Sequence, residues 1–324
     1  MARIDKGLNV AGKNSPSGAF WTAFGFVIAG FFIGQFASLI LMIIFGAVNG
    51  LDISAALADT TLLMDSLSKT QFYISQATYT LVFTFLAPWG FLKMNKQTGF
   101  AVMSTEYKLP GKAIGLAILA TFTFMFVNSW LVEWNSGIRL PEAFSELEKI
   151  LREMEDSLAE TTEKLTTFNN FGTFLLAFVV IAILPGIGEE LLFRGVLQNT
   201  LHRATRNKHI AIWVTAILFA AIHFQFYGLA PRTMLGVLFG YIYVWSGNLK
   251  LAMVAHITNN GLALCFAYYA QVTDMEFDID NPEGIDWYVS LIALVITCGL
   301  LYLFRNHYLR SNSTDEQVAD NLSD

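Results

Sequence analysis

Two adjacent glutamates and an arginine, Glu189, Glu190 and Arg194 in "LPGIGEELLFRG", directly follow the apolar run "FLLAFVVIAIL". Ionisable groups at membrane depth cost several kcal/mol, roughly, unless paired or hydrated, which makes them functional candidates. Helical spacing separates their roles. Glu190 and Arg194 are i,i+4 neighbours with the acid on the N-terminal side, the favourable order for an ion pair. Glu189 lies about 100° around the helix from Glu190, away from that arginine. A carboxylate without a counter-charge is a candidate general base, so Glu189 is expected to do chemistry while Glu190 and Arg194 hold the architecture. Pro185, just ahead of the pair, removes a backbone hydrogen bond and frees the Ile181 carbonyl. Gly186 and Gly188 allow either close helix packing or a break facing substrate.

Two further apolar stretches carry polar groups at helical spacing. Phe219 and His223 stand four apart in "LFAAIHFQF"; His256 and Asn260 stand four apart in "VAHITNNG", with Asn259 beside them. With helices of ordinary rise, Glu189 and His223 lie roughly 18 and 20 Å from the inner ends of their spans. His256 is expected to be shallower unless the Lys250 end is drawn inward.

The elements that must position these groups are membrane helices. The chain has 324 residues, 54% hydrophobic and 14% charged, with a net charge of -6, and a mean hydropathy of +0.49. That balance is rare in soluble domains. Nucleic acid is not an expected partner, because no basic stripe is present. Cys265 and Cys298 both sit in apolar segments, which excludes a disulfide framework. Apolar stretches of spanning length recur near 19–48, 71–92, 113–133, 171–200, 210–227, 231–247, 250–270 and 287–304. The expected class is therefore all-α, a polytopic membrane protein of about eight spans. The first stretch is too long for a signal-peptide core and reads as a retained helix.

Eight spans with both termini in the cytoplasm place most Lys and Arg inside. Outside remain Lys69, Arg139, Lys149, Arg152, Lys164 and Arg232, with the acidic run "DMEFDIDNPEGID". In the third loop Phe144, Leu147, Leu151, Met154 and Leu158 form one apolar helix face, with Pro141 in its first turn. That helix is expected to lie on the membrane or cap the bundle. The tail "SNSTDEQVADNLSD" reads as disordered.

The three motifs together, "EELLFR", "FAAIH" and "HITNN", resemble the EExxxR, FxxxH and HxxxN of the type II CAAX prenyl endopeptidases and their bacterial relatives, the CPBP or Abi family. The resemblance covers roughly 171–270, read as the catalytic core between N-terminal helices with the outer amphipathic helix (1–170) and a last span with its tail (271–324). It implies that Glu189 and His223 activate the attacking water, that His256 and Asn260 stabilise the oxyanion, and that Glu190 and Arg194 support the site. From helical geometry alone Asn259 is an equal alternative to Asn260. The implied function is intramembrane cleavage of a membrane-associated or prenylated CAAX-like protein or peptide, in a bacterial cytoplasmic membrane.

No cofactor is expected, and no HExxH is present. The alternative is zinc on Glu189, His223 and His256 with a fourth position for water. Competing functions are a non-catalytic membrane partner or bacteriocin-immunity protein, and a transporter relaying protons through Glu189 and His223. The latter is disfavoured because no matching broken helix occurs in the first half.

Overall fold

The computed structural model describes residues 15–58, 60–105, 108–275 and 285–321, and it contains no strand among them. The basic N-terminal segment and most of the acidic run after Asp274 lie outside the described residues. Among the described residues, eight helical rods and one outer helix build the bundle, with two short helices, Ile53–Ala58 and Thr60–Ser66, after the first rod. The rods and the outer helix are α1 (Pro16–Val48), α2 (69–94), α3 (Gly111–Ser136), the outer α4 (Ser145–Thr166), α5 (Phe171–Thr205), α6 (Lys208–Ala221), α7 (Leu229–Ser246), α8 (Leu249–Thr273) and α9 (Trp287–Asn321). Each rod falls on one of the apolar stretches, so the class is the expected polytopic helical membrane protein. Five of them, α1, α3, α5, α8 and the Trp287–Leu309 part of α9, are long and apolar enough to cross a membrane.

In lipid the association of helices rests on close packing and interhelical hydrogen bonds, because burying apolar surface gains little there. α1 begins where Ser15 caps the Gly18 amide and Pro16 takes the first turn. Its inward stripe is small: Ala19, Ala23, Gly30, Gly34 and Ser38 are buried. A side chain at Gly34 would lie 3.1 Å from the Tyr79 carbonyl of α2. Phe32, Ile33, Phe36 and Ile40 face outward. α3 and α9 are joined by hydroxyls, Thr123 to Thr297 at 2.8 Å and Ser290 to the Phe126 carbonyl at 2.9 Å.

The charged half of α5 is the central strut. Leu191 to Leu197 are all buried, packed among α1, α2, α6, α7 and α8. Within this rod, 178–183 and 191–198 widen into π-helical turns, a form that recurs at functional sites.

Several expectations are corrected. α6 ends at Ala221, so the fifth stretch is not one helix to 227 and His223 lies in the turn beyond it. That turn includes Phe224 at φ 54, which a continuing helix cannot hold. Pro141 is not in the outer helix; it precedes a single 3-10 turn, and α4 starts at Ser145. α9 continues through most of the tail to Asn321, because no Gly or Pro interrupts 305–321.

α4 also sits differently from a simple amphipathic cap. Its apolar face is exposed at Phe144, Leu147, Ile150 and Met154, while its polar side faces the bundle. Arg152 lies 4.2 Å from the Tyr227 ring centroid and donates to the Ile138 carbonyl at 3.1 Å. Lys69 of α2 donates to the Lys164 carbonyl. Tyr73 donates to the Leu165 carbonyl at 2.7 Å.

The N-terminal anchor of α4 is Glu148, whose carboxylate accepts from the Leu140 amide at 2.8 Å and from Arg152 at 2.9 Å. The Leu140 amide first, and Arg152 second, hold its carboxyl below the usual glutamate range. A lowered folded pKa contributes stability that is present above the unfolded value, about 4.3, and lost as pH falls through the folded value. Amide exchange at Leu140 should therefore be slow near neutrality and lose protection, after correction for intrinsic rates, below about pH 4. Protection that does not change across this range would remove Glu148 as the anchor.

Candidate active site

Pro185 cannot donate to the Ile181 carbonyl, and the carbonyl is taken instead by Asn260 of α8, whose Nδ2 donates to it at 3.2 Å. Asn259 Nδ2 in turn donates to Asn260 Oδ1 at 3.1 Å. A carbonyl only accepts, so this contact also orients the Asn260 amide and leaves its second N–H available. The glycines ahead of the acidic pair serve packing. A Cβ at Gly186 would lie 3.1 Å from the backbone nitrogen of Ile257, and one at Gly188 would lie 1.9 Å from Thr84 Oγ1. Close approach of α8 and α2 to α5 at these two points sets the acidic pair against its partners.

Glu190 and Arg194 form the expected ion pair, with Arg194 Nη1 donating to Glu190 Oε1 at 2.8 Å and both side chains essentially without solvent exposure. Arg194 Nη2 donates to the Gly236 carbonyl of α7 at 2.8 Å. Its guanidinium lies 4.8 Å from the Phe219 ring and 5.5 Å from the Phe239 ring. These contacts join α5, α6 and α7 around one cation.

His256 completes the cluster. Its Nδ1 stands 2.8 Å from Glu190 Oε1, and Phe239 stacks on the ring at 4.9 Å. A carboxylate paired with arginine only accepts, so Nδ1 carries the proton. Nε2 then faces Glu189, whose Oε2 lies 3.8 Å away. His256 is thus level with the glutamates and not shallower. The reason is that the inner end of α8 is sunk into the protein. Asn248 and Leu249 are buried, held by Asn248 Nδ2 to the Lys108 carbonyl at 3.0 Å and by the Leu249 amide to Ser104 Oγ at 3.1 Å.

Glu189, unlike its neighbour, lines a cavity of about 610 Å³. His223, His256, Asn259 and Asn260 share that wall. Although His223 has left the helix, its Nδ1 stands 2.8 Å from the Phe219 carbonyl, an acceptor, so Nε2 is its unprotonated nitrogen. The structure therefore brings together Glu189, His223, His256 and Asn260, and it keeps Asn259 on the same cavity. Among the described residues no three His, Cys, Asp or Glu side chains are grouped as a metal ion requires.

The cavity has residues that the sequence reading did not single out. Glu155 of α4 accepts from Gln225 Nε2 at 3.1 Å and from the Tyr227 amide at 3.3 Å. Arg232 donates to Gln225 Oε1, and all four side chains line the wall. The signal for Arg232 was present: it is an arginine at the head of the apolar stretch 231–247. Assignment to an outer segment hid it.

Residues 171–262 match the family model described as Type II CAAX prenyl endopeptidase Rce1-like. All three motifs lie within that segment, so the resemblance read from them holds. Uncharacterized protein YpbD of Bacillus subtilis (strain 168) is 33% identical over 91 residues, 27% of this chain and 43% of the relative. Membrane-embedded CAAX protease MroQ of Staphylococcus aureus (strain USA300) is 28% identical over 114 residues, 34% of this chain and 45% of the relative. Uncharacterized 24.3 kDa protein of Escherichia coli is 29% identical over 107 residues, 32% of this chain and 49% of the relative. The chain spans less than half the length of each of these curated relatives. No solved structure matches it.

The two glutamates should separate on substitution. Arg194→Ala leaves the buried Glu190 carboxylate without its cation, a loss of about 3–5 kcal/mol, and should sharply reduce the folded fraction. Glu189→Gln keeps shape and removes no hydrogen bond to Arg194, so its thermal unfolding in detergent should stay close to wild type. The opposite ranking in a heating and size-exclusion series would reverse the roles.

Proposed function

We propose that this chain is an intramembrane endopeptidase that hydrolyses a peptide bond in a membrane-associated or lipidated protein or peptide. The observation that carries the reading is the unequal treatment of two adjacent carboxylates. Glu190 is buried with its Oε1 bound by Arg194 and His256, whereas Glu189 lines the cavity, with Oε2 3.8 Å from His256 Nε2. One carboxylate builds the site and the other is available to a reactant.

In this reading a water molecule in the cavity loses a proton to Glu189, assisted by His223 Nε2. The hydroxide attacks the scissile carbonyl and the C–O bond forms as the carbonyl π pair moves to oxygen. The second N–H of Asn260 donates to that oxyanion. His256 Nε2, 3.8 Å from Glu189 Oε2, shares the proton that Glu189 takes from the water and turns it toward the oxyanion before it is passed on. Collapse breaks the C–N bond, and the proton held by Glu189 passes to the leaving nitrogen. The family match over 171–262 and the five helices long and apolar enough to cross a membrane support this substrate class. The name of the MroQ relative, a membrane-embedded CAAX protease, points the same way. The setting is a cytoplasmic membrane with both termini inside.

Mass-spectrometric mapping of new peptide ends in membranes of cells expressing wild type or Glu189→Gln at equal levels tests this directly. Ends present with wild type should fall by roughly 10²–10⁴-fold with the variant, the usual contribution of a general base. Identical maps would sink the proposal and favour a non-catalytic membrane partner. On the substrate so identified, cleavage should survive exhaustive chelation, because Glu189 is the base; activity lost on chelation and restored by zinc would replace it with a metal-bound water.

A further inference from the structure

Two adjacent asparagines stand on the cavity wall, and the bond made by one decides what the other presents. The Ile181 carbonyl only accepts, so Asn260 turns its nitrogen toward it, at 3.2 Å, and its Oδ1 away. That oxygen in turn needs a donor, and Asn259 Nδ2 supplies one at 3.1 Å. The orientation of the first amide thereby fixes that of the second: with its nitrogen turned to Asn260, Asn259 presents its own Oδ1 elsewhere. Asn259 is only partly buried and lines the cavity. Its Oδ1 makes no hydrogen bond among the described residues and keeps accessible surface. Ala263, one turn further along α8 on the same wall, offers it no side-chain donor. An amide oxygen on a membrane helix is unfavourable until a donor meets it.

We infer that Asn259 Oδ1 accepts a backbone N–H of the substrate and, through Asn260, couples that contact to the oxyanion. The hydrogen bonds all run in one sense. Substrate N–H meets Asn259 Oδ1, Asn259 N–H meets Asn260 Oδ1, and the second Asn260 N–H meets the developing oxyanion. An amide that accepts a hydrogen bond becomes a better donor, so the chain polarises cooperatively. Seating the peptide therefore strengthens the donor that stabilises the transition state. The inference rests on the protease reading and names a substrate-positioning residue for it. What is recognised is a secondary amide and not a side chain. Side chains are then tolerated at the anchored residue, while proline or any N-substituted residue is excluded from it. The two asparagine amides are 3.1 Å apart, and a chain advances at most about 3.6 Å per residue. The anchored N–H therefore lies within about two residues of the scissile carbonyl.

The test uses the full chain in lipid nanodiscs and a pool of short apolar synthetic peptides of random sequence. Peptides retained by the Glu189→Gln protein, which binds without turnover, are identified by mass spectrometry. Each is then remade with one N-methyl group at a time along the backbone, which removes a donor and keeps every carbonyl. Retention is measured on Glu189→Gln protein, and kcat on protein with Glu189 in place. Methylation at one position should lower retention about two- to tenfold, the worth of a neutral hydrogen bond, and should lower kcat as well. Asn259→Ala should cause the same losses with unmethylated peptide. Methylation at that position should then bring no further loss, while the losses from methylation elsewhere persist. Asn259→Leu, of similar size and at home in a membrane helix, should behave alike, so the result does not hang on one variant folding. A purely structural role for Asn259 would leave every methylation loss unchanged. Losses equal with and without Asn259 at every position, or a pool from which nothing is retained, overturn the inference. If retention depends jointly on Asn259 and one N–H but the protein with Glu189 cuts none of the retained peptides, the protease reading fails and the peptide contact stands.

Discussion

Arg194 cannot be left unpaired at the depth where α5 places it, and much of the central architecture answers that constraint. A buried guanidinium loses its hydration, and the loss is repaid only when its donors meet acceptors in good geometry. Glu190 takes one terminal nitrogen, the Gly236 carbonyl takes the other, and two phenylalanine faces flank the plane. Each partner belongs to a different rod or to a different turn of α5. Placing one cation therefore fixes α5, α6 and α7 relative to each other, and His256 on Glu190 adds α8.

Glycine makes this geometry possible at the places where backbone must come close. Gly236 lets α7 approach α6, where its Cβ would lie 2.9 Å from the Ala216 methyl. Gly186 and Gly188 do the same for α8 and α2 against α5. In lipid such contacts carry weight, because packing and polar bonds hold helices together where the hydrophobic effect does not. Pro185 belongs to the same logic. The hydrogen bond it removes inside α5 is remade between α5 and α8, so a local defect becomes an interhelical tie that also orients Asn260.

The resulting site is asymmetric. On one side of the cavity stand Glu189 and two histidine Nε2 atoms, each ring's other nitrogen already bound to an acceptor. On the other side stand Arg232, Gln225 and Tyr227, tied to α4 through Glu155. α4 has no fully buried side chain: Leu165 packs on the Phe168–Phe174 cluster at its C-terminal end, polar contacts hold the rest, and its apolar residues near the N-terminal end are exposed. A helix attached in this way can roof a chamber without filling it.

Much of this was legible in the chain itself. Helical positions followed from apolar stretches, because a rod in lipid must satisfy its own backbone and so declares its length in composition. The Glu190–Arg194 pair, the separate fate of Glu189 and the freed Ile181 carbonyl followed from spacing along one helix, which is local geometry. What lay between helices was not legible. Nothing in the order of residues says that Asn260 meets Ile181, that the buried inner end of α8 brings His256 level with Glu189, or that His223 leaves its helix and still faces the cavity. Arg232 was read as an outer charge because only the folded turn of 222–228 turns it into the wall of the site. Sequence alone determined the rods and the residues able to do chemistry, since those depend on contacts within one turn. Tertiary structure decided which of them meet, because packing distances between rods are set by glycines, carbonyls and ion pairs far apart along the chain.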